Sequence, residues 1–296
     1  MDKVSTIILA LSLIIIMLGM GLSLVWDDFK RILTYPKAIF VGLVNQLIIL
    51  PLIGFALVSV FPLSPEIAIG VMILAACPGG PTSNLISHLA KGDLALSVSL
   101  TAVSSFITIL TIPFIVNFAL IHFLEEGHII QLNIVETIIQ IFVIVVIPVV
   151  IGMMIRKYRE AFALRMAKPV RMASGIVLAL VIFGILIKER DNIISYFQQA
   201  GIVTLSLNLA TMLVGFYSAK LFKLKSKQAI SISIESGIQN GTLAISIAVV
   251  LLESTAYSIA PAIYSLLMFV TGGIVIYLGL RKVKKEVRLS VETVKD

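Results

Sequence analysis

Charge, cysteine and histidine are scarce in this chain of 296 residues, and each shortage excludes something. Charged residues make up 13%, against roughly 25% in soluble globular domains, which argues against a soluble fold. A single cysteine, Cys77, excludes an intramolecular disulfide and a multi-cysteine metal site. His88, His122 and His128 are the only histidines, and none has HExxH or similar metal spacing. No Walker motif points to an ATP-driven pump, and no Ser–His–Asp set can be argued from helix positions. No enzyme is expected, and no cofactor.

What is present is apolar. Hydrophobic residues make up 59% and the mean hydropathy is +1.08. A helix crossing a hydrocarbon core needs about 20 predominantly apolar residues, and about nine such stretches can be placed. They are Val4–Val25, Lys37–Phe61, Glu66–Ala90, Leu94–Phe123, Leu132–Lys157, Val170–Lys188, Tyr196–Phe222, Lys227–Leu252 and Tyr257–Lys282. The runs are continuous rather than alternating, so the expected fold is an all-α polytopic membrane protein, not a barrel. The first run lacks a cleavage-site pattern and reads as a retained helix.

Positive charge sets the expected orientation in the plasma (inner) membrane. With the N-terminus outside and the C-terminus cytoplasmic, only Lys3, Lys188 and Arg190 of the 23 Lys and Arg lie outside. The remainder fall at Lys30–Lys37, Lys91, Arg156–Arg171, Lys220–Lys227 and Arg281–Lys295. A net charge of +7 therefore needs no nucleic acid to explain it; topology and anionic lipid headgroups suffice.

Two of the apolar runs are interrupted. The third carries "CPGGPTSN", Cys77–Asn84, and the eighth carries "ESGIQNG", Glu235–Gly241. The interrupted runs stand five helices apart and so run in opposite directions. Pairing the first four helices with the last four matches them, leaving the fifth unpaired before the basic linker "RKYREAFALRMAKPVR". This is the outline of an inverted-topology repeat, with residues 1–123 as the first half, 124–282 as the second and 283–296 as a cytoplasmic basic tail. Broken helices at matching positions point to a transporter's binding site. An intact helix satisfies its own backbone; a break frees carbonyls at one half-helix end and N–H groups at the start of the next.

Glu235 lies well inside its run, whereas Glu66, Glu136 and Glu253 sit near helix ends. A carboxylate at that depth is costly unless paired or coordinating. No Lys or Arg occupies a comparable depth, so a bound cation is the economical counter-charge. Ser83, Asn84, Ser97, Thr101, Gln46 and Gln239 supply hard oxygens suited to an alkali cation. Ser97 and Thr101, four residues apart, share one helix face. Taken alone, such hydroxyls commonly bond the preceding turn or join helices.

"MLGMGLSL" followed by "DDF", then "CPGGPTSNLISHLAKGDLALSVSLT" and "ESGIQNGTLAI", resemble the bile acid:sodium symporter family over nearly all of the hydrophobic chain. The resemblance implies nine helices, where longer members have ten. It implies a core of helices two, three, four, seven, eight and nine, in which the two discontinuous helices cross, moving against a panel of helices one, five and six. Site residues follow from it. A first sodium site would use Ser83, Asn84, Ser97, Thr101 and Glu235, and a second Gln46, Glu235, Gln239 and the backbone of Ser236 and Ile238. Asn240, with Asn84 and Thr82, would face the substrate. One departure stands out: the family usually has Thr or Asn and then a small residue after the two glycines, where this chain has Pro81 and Thr82. Pro81 offers no N–H, so Thr82 would supply the hydroxyl, or the substrate differs.

The expected function is sodium-coupled symport of an organic anion, bile-acid-like or a small carboxylate such as pantoate, by alternating access, with two sodium ions as coupling ions. The alternative is an arsenite or other metalloid carrier of a related superfamily branch, in which Cys77 and the facing glutamate handle the metalloid. A channel would conduct faster than a carrier cycle, and a buried acid between symmetric breaks argues for the carrier.

Overall fold

The computed structural model describes residues 3–31, 33–124, 133–188, 190 and 193–292. His128 and Lys295, used in the sequence reading, lie outside the described residues. The helices in chain order are α1 (Lys3–Ser23), α2 (Trp26–Lys30), α3 (Pro36–Val60), α4 (Pro65–Ala76), α5 (Pro81–Leu89) and α6 (Leu94–Phe123). They continue as α7 (Ile134–Tyr158), α8 (Glu160–Lys188), α9 (Ile193–Leu221), α10 (Ser226–Gly237), α11 (Gly241–Leu251) and α12 (Ile259–Glu292). Among the described residues the only β pairing is a single antiparallel bridge, Gly79 with Gln239.

Among the described residues, five stretches are long and apolar enough to cross a membrane: Pro36–Val60, Leu94–Phe123, Ile134–Tyr158, Ile194–Leu221 and Ala256–Arg281. Shorter apolar helices include Pro65–Ala76 and Gly241–Leu251, cut short by the two breaks. Large apolar side chains such as Leu110, Phe114, Phe183 and Ile202 are more than half exposed, a surface that suits hydrocarbon and not water. The chain is an all-helical, polytopic integral membrane protein.

Prolines account for two of the three π turns among the described residues; the third, Ile247–Leu251, has no proline near it. Proline lacks an N–H and its ring pushes on the carbonyl four residues back. Pro51 and Pro148 each follow a π turn, Asn45–Ile49 in α3 and Phe142–Val146 in α7, which absorbs that clash with i→i+5 bonds at Leu50 and Ile147. The first of these turns carries Gln46. Pro65 and Pro81 begin α4 and α5, where the missing N–H has no helical partner to lose.

The basic linker is narrower than its composition suggests: helix resumes at Glu160, with only Arg159 between it and the end of α7 at Tyr158. Strong helix formers in "EAFALRMA" and an Arg156–Glu160 ion pair at 3.2 Å favour it. The "DDF" segment forms α2. Its Asp28 is buried, accepting from the Val25 N–H at 2.8 Å and from Arg31 at 2.5 Å. Burial pushes the Asp28 carboxyl above the ordinary carboxylate range, against the opposing pull of those two donors. Phe29 of α2 meets Phe106 of α6 edge-on, at 5.5 Å between ring centres, tying the α1–α3 connection to α6. Elsewhere α1 packs on α7 and α8, while α9 packs on α10 and α12.

Candidate functional site at two helix breaks

The two breaks lie side by side. Backbone is extended at Cys77, Gly80 and Ile238, and the Asn240 N–H donates to the Pro78 carbonyl at 2.9 Å beside the Gly79–Gln239 bridge. Four half-helix ends therefore meet in one place: the C-terminal ends of α4 and α10 and the N-terminal ends of α5 and α11. The Asn240 side chain caps α11, accepting from the Leu243 N–H at 3.1 Å. Pro78 and Pro81 account for the first break. In the second, Gly237 and the cap preference of Asn240 stop one helix and start the next.

Glu235 stands on the last turn of α10, 4% exposed. Its Oε1 accepts from the hydroxyls of Ser83 at 2.7 Å and Ser97 at 2.5 Å, and its Oε2 from Thr101 at 2.8 Å. Asn84 joins through Oδ1, which accepts from Ser97 at 2.9 Å and Thr101 at 3.1 Å. Five oxygen-bearing side chains from α5, α6 and α10 thus converge. Gly79 makes the approach possible, because a Cβ there would run into Glu235 Oε2 and sit 3.1 Å from Ser83 Oγ.

Among the described residues the ion pairs are Lys30–Asp27, Arg31–Asp28 and Arg156–Glu160, so no basic side chain neutralises Glu235. Three hydroxyl donors lower the cost of burying the carboxylate without cancelling its charge. A hydroxyl hydrogen turns about its Cβ–O bond to suit its partner. Rotated, the same three oxygens offer lone pairs, and the cluster becomes a hard-oxygen cage for a small cation.

A second group adjoins the first. Gln46 Nε2 donates to the Cys77 carbonyl at 2.8 Å and to Gln239 Oε1 at 2.9 Å, while Gln239 Nε2 donates to the Ser236 carbonyl at 2.8 Å. Gln46 Oε1 is buried without a hydrogen-bond partner among the described residues, a vacancy in bonding that an oxygen-seeking cation fits. Ile238, fully buried, begins the extended stretch beside this group. Thr82 stands apart, partly buried on the first turn of α5, and no hydrogen bond joins it to the cluster among the described residues. Asn240 is 7% exposed at the meeting point, next to Gly80.

Two residues passed over in the sequence support the break. Asn208 of α9 donates to the Gly237 carbonyl at 2.5 Å, and the fully buried Tyr264 of α12 donates to the same oxygen at 2.6 Å. Together they satisfy a carbonyl that α10 leaves unpaired where it ends. The signal was an amide in mid-helix, in "TLSLNLAT", at a depth where polar groups need a reason.

The model of the sodium bile acid symporter family matches residues 10–196. Among curated relatives, the sodium-dependent transporter YocS of Bacillus subtilis (strain 168), itself uncharacterized, is 29% identical over 92% of this chain and 83% of its own length. The hepatic sodium/bile acid cotransporter of Rattus norvegicus is 30% identical over 81% of this chain and 66% of its own. The probable chloroplastic sodium/metabolite cotransporter BASS2 of Oryza sativa subsp. japonica is 28% identical over 77% of this chain and 53% of its own. The helical membrane architecture, the paired breaks and a family match over well over half of the residues agree: this chain belongs to the sodium bile acid symporter family, a family of sodium-dependent transporters.

Proposed function

We propose that the protein imports an organic anion together with sodium by alternating access, with the helix breaks as the site of coupling. The observation that carries this reading is Glu235: a buried carboxylate, ringed by Ser83, Ser97 and Thr101, with no basic partner among the described residues. A first sodium ion is held by Ser83, Asn84, Ser97, Thr101 and Glu235. A second is held by Gln46, Glu235, Gln239 and the Ser236 and Ile238 carbonyls, which the unpartnered Gln46 Oε1 supports. The anion meets the N-terminal ends of α5 and α11, where helix dipoles favour negative charge, near Thr82, Asn84 and Asn240. Relatives named as bile acid and metabolite cotransporters support a bile-acid-like anion or a small carboxylate such as pantoate. The metalloid reading gains nothing comparable, and Cys77 is completely buried in the apolar core.

In this reading residues 1–123 and 124–282 are inverted halves, nine membrane crossings in all, with the basic tail from 283 in the cytoplasm. The core holds both broken helices, and α1, α7 and α8, which pack together, form the panel. Thermal shift of the detergent-purified protein tests the function. Sodium should stabilise it where potassium or choline does not, and a transported carboxylate should add a rise that grows with sodium. Equal stabilisation by sodium and potassium overturns the coupling ion.

Cooperativity tests the second ion. Wild-type uptake should depend sigmoidally on sodium, and Gln46→Ala should flatten the curve toward a Hill coefficient of about 1 while leaving some stimulation. Mere interhelical packing by Gln46 would instead lower stability by about 0.6 kcal/mol with the curve shape intact. An unchanged Hill coefficient removes the second site.

Orientation is tested by thiol labelling in a Cys77→Ala background. A cysteine replacing Leu124 should react with an impermeant maleimide added outside intact cells. One replacing Leu164, 58% exposed beside the buried Ala163, should react only after permeabilisation. The reverse pattern inverts the topology.

A further inference from the structure

Away from the breaks, a lateral cavity of about 520 Å³ opens between α9, α10 and α12, within the range of about 300–1,000 Å³ typical of ligand sites. Its walls include Leu213 and Phe216 of α9, Ile230 of α10, and Ile274 and Leu278 of α12. Leu213, Ile274 and Leu278 are more than half exposed, so the cavity faces the surrounding hydrocarbon. Deeper polar groups are already committed: Ser233 donates to the Met212 carbonyl at 2.7 Å and Thr271 to the Met268 carbonyl at 3.1 Å. The interior therefore suits an alkyl chain and offers nothing to a polar one.

The mouth is different. Lys220, on the last turn of α9, is the one charged residue lining the cavity among the described residues; its Nζ donates to Ser226 Oγ at 2.9 Å and lies 5.8 Å from the centre of the Phe216 ring. Lys220 is the penultimate residue of the apolar span Ile194–Leu221, and Leu278 and Gly279 stand just before Arg281, which ends the span Ala256–Arg281. The mouth thus sits at the level of the lipid headgroups. Exposed Lys223, Lys225 and Lys227 follow within seven residues of Lys220, and no Asp or Glu occurs from residue 193 to 234. Four lysines on one membrane edge form an anion-attracting rim, to which Asp93, whose N–H donates to the Lys227 carbonyl at 3.1 Å, brings a single acid among the described residues.

We propose that this cavity is a binding site for an anionic phospholipid of the bilayer, with an acyl chain lying along α9 and α12 and the phosphate bound by Lys220 and Ser226. The lipid seals a gap in the packing of α10, the half-helix that carries Glu235, against its neighbours. The charge at the rim makes it selective for anionic over zwitterionic headgroups, independently of what the transporter carries.

Native mass spectrometry tests this. The full-length protein in detergent is given equimolar phosphatidylglycerol and phosphatidylcholine with identical acyl chains. Wild type should retain one phosphatidylglycerol in preference to phosphatidylcholine. Lys220→Gln should lower the retained ratio about fivefold, the contribution of one lysine at an anionic surface, and Lys220→Arg should restore it. Lys157→Gln, which removes an exposed lysine from α7, should change nothing. Equal retention of both lipids by wild type overturns the site, as does an equal loss in Lys157→Gln and Lys220→Gln, which would mean diffuse attraction only.

Discussion

Glu235→Gln should cut sodium-driven uptake on the order of 100-fold or more while the protein still folds. The substitution preserves size and leaves an oxygen for the Ser83, Ser97 and Thr101 hydroxyls, which lie 2.5–2.8 Å from the carboxylate. What it removes is the negative charge that, in the proposed mechanism, holds the cations. Contacts to a charged group contribute about 1.5–3 kcal/mol each, and this carboxylate serves both proposed ions. The effect on stability should have the opposite sign. A buried charge without a protein counter-ion costs several kcal/mol, so without sodium the Gln variant should melt at the wild-type temperature or above it. Its further rise on adding sodium should vanish. Proteoliposome uptake and sodium-dependent melting measure the two halves, and a wild-type sodium-dependent rise in melting temperature in Glu235→Gln would sink the mechanism.

Gly79→Ala is expected to be nearly as damaging, for a reason visible only in three dimensions. The new methyl would press on Glu235 Oε2 and lie 3.1 Å from Ser83 Oγ. Gly79 does not occupy the left-handed region, so alanine meets no backbone strain there. The cost is crowding, about 1–3 kcal/mol, and it falls on the carboxylate, which must move away from its hydroxyls. The sodium concentration for half-maximal uptake should rise roughly 5- to 150-fold, the factor those energies correspond to. Gly80→Ala is the matched control. Its methyl would lie 3.5 Å from Asn240, an ordinary contact, and should leave half-saturation by sodium within about twofold of wild type. A Gly79→Ala protein with wild-type sodium dependence would show that the approach of Glu235 to the first break has no part in binding.

Much of this protein is written locally. Membrane class follows from the density of apolar residues and the length of the runs, because each residue of a spanning helix must independently tolerate hydrocarbon. The breaks at Cys77–Gly80 and Ile238–Asn240 were legible for the same reason: proline and glycine act on their own backbone, wherever the chain goes. Glu235 announced itself by depth alone, since no local partner could offset its charge. The limits of α8 were less legible, because a run of basic residues does not distinguish a solvated loop from a solvated helix. What the residues do to one another was settled only by packing. Ser83 and Ser97 reach Glu235 from 152 and 138 residues away, and Gln46 reaches Gln239 across 193. Asn208 and Tyr264 secure the Gly237 carbonyl from two further helices. Gly79 matters for a carboxylate that no reading of its neighbours could bring near it. Propensity and hydropathy are properties of a segment, whereas a hydrogen bond or a steric contact belongs to a pair of atoms, and in this chain the deciding pairs come from distant segments that only the folded bundle brings within 3 Å.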